Sequence, residues 1–203
     1  AGRIGVDIHN HWSHVTWAME GVVRSYWAHN RIWINDPDFL VVRGADTSSE
    51  KVNNVTNFCA NKPNATRWRS GPDFGYEEAK SWASICLMCG GSIISSDLLS
   101  VLNEKGMDII RKCMKASTGI SAEPLDICEG PLPALWLQKL PEETRLTVFN
   151  WSDCPVDTSI DFAKYGIVPP EYIGDFWNDE QMRVENGTFS VKLPVHGCGV
   201  FVW

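Results

Sequence analysis

Three short apolar runs that each end in carboxylates constrain this chain more than any other feature. They are Arg3-Ile-Gly-Val-Asp7, then Arg31-Ile-Trp-Ile-Asn35 leading into Asp36-Pro37-Asp38, and Ser92-Ile-Ile-Ser95 followed by Asp97. Each is too short for a helix and reads as a buried strand, and Pro37 forbids helical continuation of the second. Helix-forming segments separate them. The first, SHVTWAMEGVVRSYWAHN, carries Val15, Met19, Val22, Val23, Tyr26 and Trp27 at near-helical spacing. The next begins near Tyr76, with acids in its first turn, and stops at Gly90-Gly91. A third, NEKGMDIIRKCMKA, follows the last run. Strand, helix, strand, long loop, helix, strand, helix predicts a parallel α/β arrangement with acids at the strand C-termini.

Residues 44–75 are rich in Asn, Ser, Gly and Pro and weakly periodic, and are expected to form a long functional or protective loop. From about Ser121 the texture changes to short runs broken by Pro, Gly and Asp: PALWLQKL, RLTVFNWSD, TSIDFA, GTFSVKL and GVFVW. These predict a small antiparallel β-sandwich. The expected organisation is therefore α/β over residues 1–120 and all-β over 121–203.

A net charge of −7 argues against a nucleic-acid partner, which needs clustered Lys and Arg. No apolar stretch approaches the roughly 20 residues that span a bilayer, so no membrane partner is expected. The tripeptides starting at Asn54, Asn64, Asn150 and Asn186 fit the N-glycosylation acceptor pattern. They point to a secreted or extracellular protein, or a lysosomal or vacuolar one. Seven cysteines leave at least one unpaired within the chain. Cys86 and Cys89, at i and i+3 of a helix, are expected in the core, and spacing leaves the pairing of Cys59, Cys113, Cys128, Cys154 and Cys198 open.

The stretch DIHNHWSH at residues 7–14 allows two chemistries. Either His9 and His11, two residues apart on an extended segment, share a divalent ion, or Asp7 is the working group and the histidines line its surroundings. The first option resembles the metal-binding opening of amidohydrolases. It needs further ligands from later strand ends, where the remaining histidines, His29 and His196, are badly placed. No metal or other cofactor is expected.

The combination Arg3-x-x-x-Asp7, Trp33-x-Asn35-Asp36-Pro37-Asp38-Phe39-Leu40, an E-A-x-x-W-A-S helix, Gly90-Gly91 and Ser96-Asp97-Leu98 resembles the melibiase-type (α-galactosidase-like, clan D) glycoside hydrolases. The tail, with LTVFNWSD, IGDFWND and FSVKLPVHGCGVFVW, looks like the β-sandwich that follows their catalytic barrel. The resemblance implies that residues 1–120 are the C-terminal part, about strands six to eight, of a (β/α)8 barrel. It implies a retaining mechanism with two carboxylates about 5–5.5 Å apart. Asp7 matches the general acid/base, Arg3 a sugar-contacting arginine, Asp38 an acceptor for sugar hydroxyls, and Phe39 an apolar contact to the ring. Trp12, Trp17 and Trp33 could form a sugar-stacking wall, but several of the ten tryptophans are expected in the core, and only Trp33, beside Asn35-Asp36, is taken as a candidate.

A whole barrel needs about 250 residues, and the nucleophile expected on an earlier strand in a K-x-D segment is absent. The expected partners are therefore a carbohydrate substrate and the missing N-terminal part of the barrel, in the same or a separate chain. A non-catalytic carbohydrate-binding fragment is the remaining alternative; exposed strand edges disfavour it as a free-standing module. Asp97 is expected to cap the helix that follows it.

Overall fold

The computed structural model describes residues 1–49 and 73–203. The greater part of the predicted loop, with Asn54, Asn64 and Cys59, lies outside the described residues.

Strand β1 (Gly2–Arg3) pairs in parallel with β2 (Asn35–Asp36). The Gly2 N–H donates to the Ile34 carbonyl at 2.8 Å and the Ile4 N–H to that of Asp36 at 2.9 Å. Leu40 makes a parallel bridge to Ser95, its N–H donating to the Ile94 carbonyl at 2.8 Å. The second apolar run thus lies between the first and third, as consecutive parallel strands do. Regular pairing is shorter than the sequence suggests. Pro37 lacks an N–H, and Asp38 adopts a φ of +112°, so the ladder breaks after Asp36. Upstream, residues 30–32 form a turn closed by a bridge between His29 and Trp33, which leaves Ile32 and Ile34 exposed rather than buried. Among the described residues these parallel steps do not close into a barrel.

Helix α1 (Trp12–Ser25) buries Val15, Ala18, Met19 and Val22, and continues into a 3₁₀ turn over Tyr26–Ala28. A Cβ on Gly21 would overlap the Ile4 carbonyl, so only glycine lets this helix reach the backbone beside β1. Helix α2 (Tyr76–Met88) starts where Glu78 accepts from the Gly75 N–H at 3.0 Å and Asp46 accepts from the Tyr76 N–H at 3.0 Å. Gly90, at φ +71°, ends it. From Ala79 to Met88 every residue is buried, which makes α2 a helix packed on all sides. Helix α3 (Glu104–Ala116) is amphipathic, burying Ile109, Ile110 and Cys113.

The cap of α3 differs from expectation. Asn103 supplies it, accepting from the Gly106 N–H at 3.2 Å. Asp97 instead reaches back to the stretch after β2, where its buried carboxylate accepts from the Val42 N–H at 2.7 Å and the Arg43 guanidinium at 2.8 Å. It is a tie between two parallel segments.

Residues 123–202 form two antiparallel sheets. One has the order β3-β4-β5-β10-β7-β8: β3 (Glu123–Pro124), β4 (Leu135–Lys139), β5 (Thr144–Phe149), β7 (Tyr172–Asp175), β8 (Glu180–Arg183) and β10 (Cys198–Val202). The other pairs β6 (Val156–Asp161) with β9 (Thr188–Leu193). Side chains of the larger sheet alternate between two cores. Leu135, Leu137, Leu146, Val148 and Phe201 pack towards β6 and β9. Trp136, Phe149, Cys198 and Val200 join the core that holds α1, α2 and α3. That core is continuous across residue 120. Buried polar groups on this face find helix-side partners: Arg145 donates to the carbonyl of Ala116, at the end of α3, at 2.7 Å.

Replacing Asp97 with alanine removes an acceptor and leaves Arg43 without its carboxylate. It should lower stability by about 3 kcal/mol in chemical denaturation; a loss below about 1 kcal/mol, the range of exposed pairs, would refute this structural role.

Candidate active site

Arg3 projects from β1, and its Nη2 makes three contacts. It donates to the Val6 carbonyl at 3.1 Å, to Asp7 Oδ1 at 3.0 Å and to Asp38 Oδ2 at 2.6 Å. The two carboxylates differ sharply in setting: the Asp38 side chain is 6% exposed and that of Asp7 83%. Asp38 also accepts from the Ile8 N–H at 2.6 Å through Oδ2, and from its own neighbour, the Phe39 N–H, at 2.7 Å through Oδ1. Asp36 accepts from the Asp38 N–H at 3.1 Å, which steadies the positive-φ turn.

The Phe39 carbonyl accepts from the buried Trp82 indole of α2 at 3.0 Å. That bond fixes the backbone while the Phe39 ring stays exposed. Arg3, Asp38 and Phe39 line a cavity of about 170 Å³ with Asp36, Ser92 and Ile94. Asp7 reaches this group through Arg3 but does not line the cavity. Trp33 lies outside the lining too. Its ring covers the backbone of Gly2, where an added Cβ would stand 2.7 Å from the indole Cγ, and its N–H donates to Asn35 Oδ1 at 3.0 Å.

Asn35 is itself buried and donates to the Ser25 carbonyl at 2.9 Å. His29 accepts from the Asn35 N–H through Nδ1, at 3.1 Å, so its Nε2 carries the proton and donates to the Gly119 carbonyl at 3.0 Å. His29 is a structural connector. Behind Asp7, the buried His14 ring meets the Asp7 carbonyl at 2.9 Å and stacks edge-on to His9 at 4.8 Å. Among the described residues no group of three or more His, Cys, Asp or Glu side chains is arranged to hold a metal ion. The two-histidine metal reading therefore finds no ligand set in this part of the protein.

Motif reading did not single out Asp73. Its carboxylate accepts from Asn10, three residues beyond Asp7, at 2.8 Å. Burial pushes its pKa above the ordinary carboxylate value, against the opposing pull of His11. The only sequence signal was an acid following Gly71-Pro72 at the end of the long loop. The cysteines in the core are not nucleophiles: burial holds the Cys198 thiol at a pKa of about 11 and raises those of Cys86, Cys89 and Cys113 as well.

One of the four tripeptides of the acceptor pattern is packed into the fold. Asn150 is 3% exposed. Its amide donates to the Cys154 carbonyl at 2.8 Å and the Pro194 carbonyl at 2.7 Å, so both hydrogens are engaged. Ser152, the residue that completes the acceptor pattern, donates its hydroxyl to Asn150 Oδ1 at 2.7 Å. The tripeptide is a turn bracket. Asn186 is exposed, at a turn with φ +51°.

No family model matches the sequence. Solved structures do match its fold. A Bacteroides fragilis protein assigned as an α-galactosidase/melibiase superposes with a TM-score of 0.72 at 16% identity, over 98% of this chain and 41% of its own length. A GH27 β-L-arabinopyranosidase from Geobacillus stearothermophilus gives 0.72 at 13% identity, over 98% and 44%. α-Galactosidase I from Mortierella vinacea gives 0.68 at 10% identity, over 98% and 52%. The fold is thus that of a stretch of the α-galactosidase/melibiase structures, in agreement with the resemblance read from the motifs. The chain spans about half, or less, of the length of each.

Substituting Asn150 with alanine should cost about 2 kcal/mol in thermal or chemical unfolding, because it removes the two hydrogen bonds from its amide to the Cys154 and Pro194 carbonyls and the acceptor of the Ser152 N–H. Peptide mapping of the folded protein from a eukaryotic secretory host should find no glycan there; a glycosylated, native Asn150 would contradict the assignment.

Proposed function

We propose that this chain is the C-terminal part of a retaining glycoside hydrolase that cleaves terminal α-galactosyl or related α-linked sugars, with Asp7 as general acid/base. The observation that carries this reading is the convergence of Asp7 and Asp38 on one arginine at the ends of parallel strands. It occurs within a fold shared with glycoside hydrolases. The exposure of Asp7 suits a group that exchanges protons, first with a departing glycosidic oxygen and then with water. Arg3 and Phe39 supply a hydrogen-bonding and an apolar surface for the sugar, and Trp33 an outer wall.

On this reading residues 1–120 are about strands six to eight of a (β/α)8 barrel, residues 121–203 its accompanying β-sandwich, and the nucleophile belongs to an upstream part in the same or a separate chain. Exposed Val6, Ile34, Ile94 and Leu98 support it, since an apolar surface around strand ends suits coverage by further barrel strands. Asn54, Asn64 and Asn186 are the proposed glycan acceptors of a secreted, extracellular, lysosomal or vacuolar protein.

The test is hydrolysis by the complete polypeptide of aryl α-galactosides, α-N-acetylgalactosaminides and β-L-arabinopyranosides. If a well-folded complete enzyme cleaves none of them, the proposal fails. Asp7→Asn should lower kcat about 10²- to 10⁴-fold while leaving the melting temperature nearly unchanged, because the side chain is mostly solvated.

A further inference from the structure

We propose that Asp38 is a positioning residue for the acid/base carboxylate and not an acceptor for a sugar hydroxyl. The inference rests on Asp7 being that acid/base. Both Asp38 oxygens are engaged within the protein: Oδ2 by the Ile8 N–H and Arg3 Nη2, each at 2.6 Å, and Oδ1 by the Phe39 N–H at 2.7 Å. The side chain is nearly enclosed, at 6% exposure. Three of its roughly four acceptor sites are filled by protein donors, through short bonds of the strong, charge-assisted kind, and the enclosure leaves little of the group open to a hydroxyl.

The contacts of Asp38 bracket Asp7. Ile8 follows Asp7 directly, and its N–H is held by Asp38. On the other side, the Arg3 Nη2 that Asp38 anchors holds both the Val6 carbonyl and Asp7 Oδ1. The backbone on either side of Asp7, and its carboxylate, are therefore all tied to one buried charge. An exposed aspartate has no packing to fix its rotamer, so this tie is what directs it. The chemistry also requires a carboxylate: an asparagine in either flip would turn its NH₂ towards the Phe39 N–H or towards the Ile8 N–H and Arg3, donor facing donor.

Asp38→Asn tests this in two measurements. In the ¹⁵N-labelled chain the Ile8 amide should shift upfield and exchange at least about tenfold faster, the loss of one charge-assisted hydrogen bond. In the complete polypeptide, α-galactosides with poor leaving groups should lose about 100-fold in kcat/KM. Dinitrophenyl substrates, which need no acid assistance to depart, should change little in the glycosylation step, and azide should speed their turnover by replacing base-activated water. A lost sugar contact would instead slow all leaving groups alike. Equal losses across leaving groups, or an Ile8 amide indifferent to the substitution, would overturn the proposal. If Asp38→Asn does not fold, Arg3→Lys serves, because lysine lacks the planar guanidinium that reaches Asp7, Asp38 and the Val6 carbonyl. Loss of the Arg3 sugar contact slows all leaving groups alike; a further loss confined to poor leaving groups is expected, and its absence would overturn the proposal. Should the wild-type polypeptide cleave no glycoside, the hydrolase reading falls separately, and the Ile8 amide still decides whether Asp38 holds the loop.

Discussion

Burying the Asp38 carboxylate is the demand that organises this end of the molecule, because an ionised group taken out of water must recover its lost hydration from fixed donors. Arg3 and two backbone N–H groups supply them. The donors come from β1, from the residue after Asp7 and from the residue after Asp38 itself, so satisfying one charge draws three stretches of backbone together. Asp38 also sits in a left-handed conformation that a non-glycine residue adopts at a cost, and its N–H is bound by Asp36. The Asp-Pro-Asp turn thus works as a unit, in which Pro37 ends the strand and the flanking acids bind the freed backbone.

The same economy holds where the helices meet the sheet. β4, β5 and β10 are buried on both faces, so their polar side chains need partners on the helix side, and Arg145 and Gln138 find them at Ala116 and Ile120. A second link runs through aromatic rings: Phe149 stacks on Trp151, Trp151 on Trp12, and Trp12 on His196 at 4.2 Å. His196 is in turn bound by Glu78 of α2 and by Asp153. Trp12 opens α1 directly after the loop that bears Asp7, so the sheet layer braces the candidate site from behind.

Much of this was legible from sequence, for local reasons. The starts and stops of the helices are written in groups that act within a few residues: Glu78 and the first-turn acids, Gly90, and the apolar spacing of α1. Five strands of the sandwich showed as alternating runs. The β7–β8 hairpin was less visible, since Glu180-Gln-Met-Arg favours helix and its turn is set by the Asp175 carboxylate accepting from the Trp177 and Asn178 N–H groups. Long-range partners were invisible in principle. Asp97 reads as a helix cap until Arg43 is placed beside it, and Asn150-Trp-Ser reads as a glycan acceptor until the carbonyl of Pro194 arrives. At the candidate site, the Arg3, Asp7 and Asp38 spacing could be read from the motif. The cavity wall built by Ser92 and Ile94 could not, since it depends on the third run lying beside the second.

The apolar core that runs uninterrupted from α2 into β5 and β10 bears on how such a protein could be recombined. A chimera that joined a foreign barrel to this sandwich at residue 120 would strip Trp136, Phe149 and Val200 of the helical surface they pack on. The unit that keeps this core whole is therefore the sandwich together with α1, α2 and α3, since Val15, Met19 and Val22 of α1 belong to the same cluster.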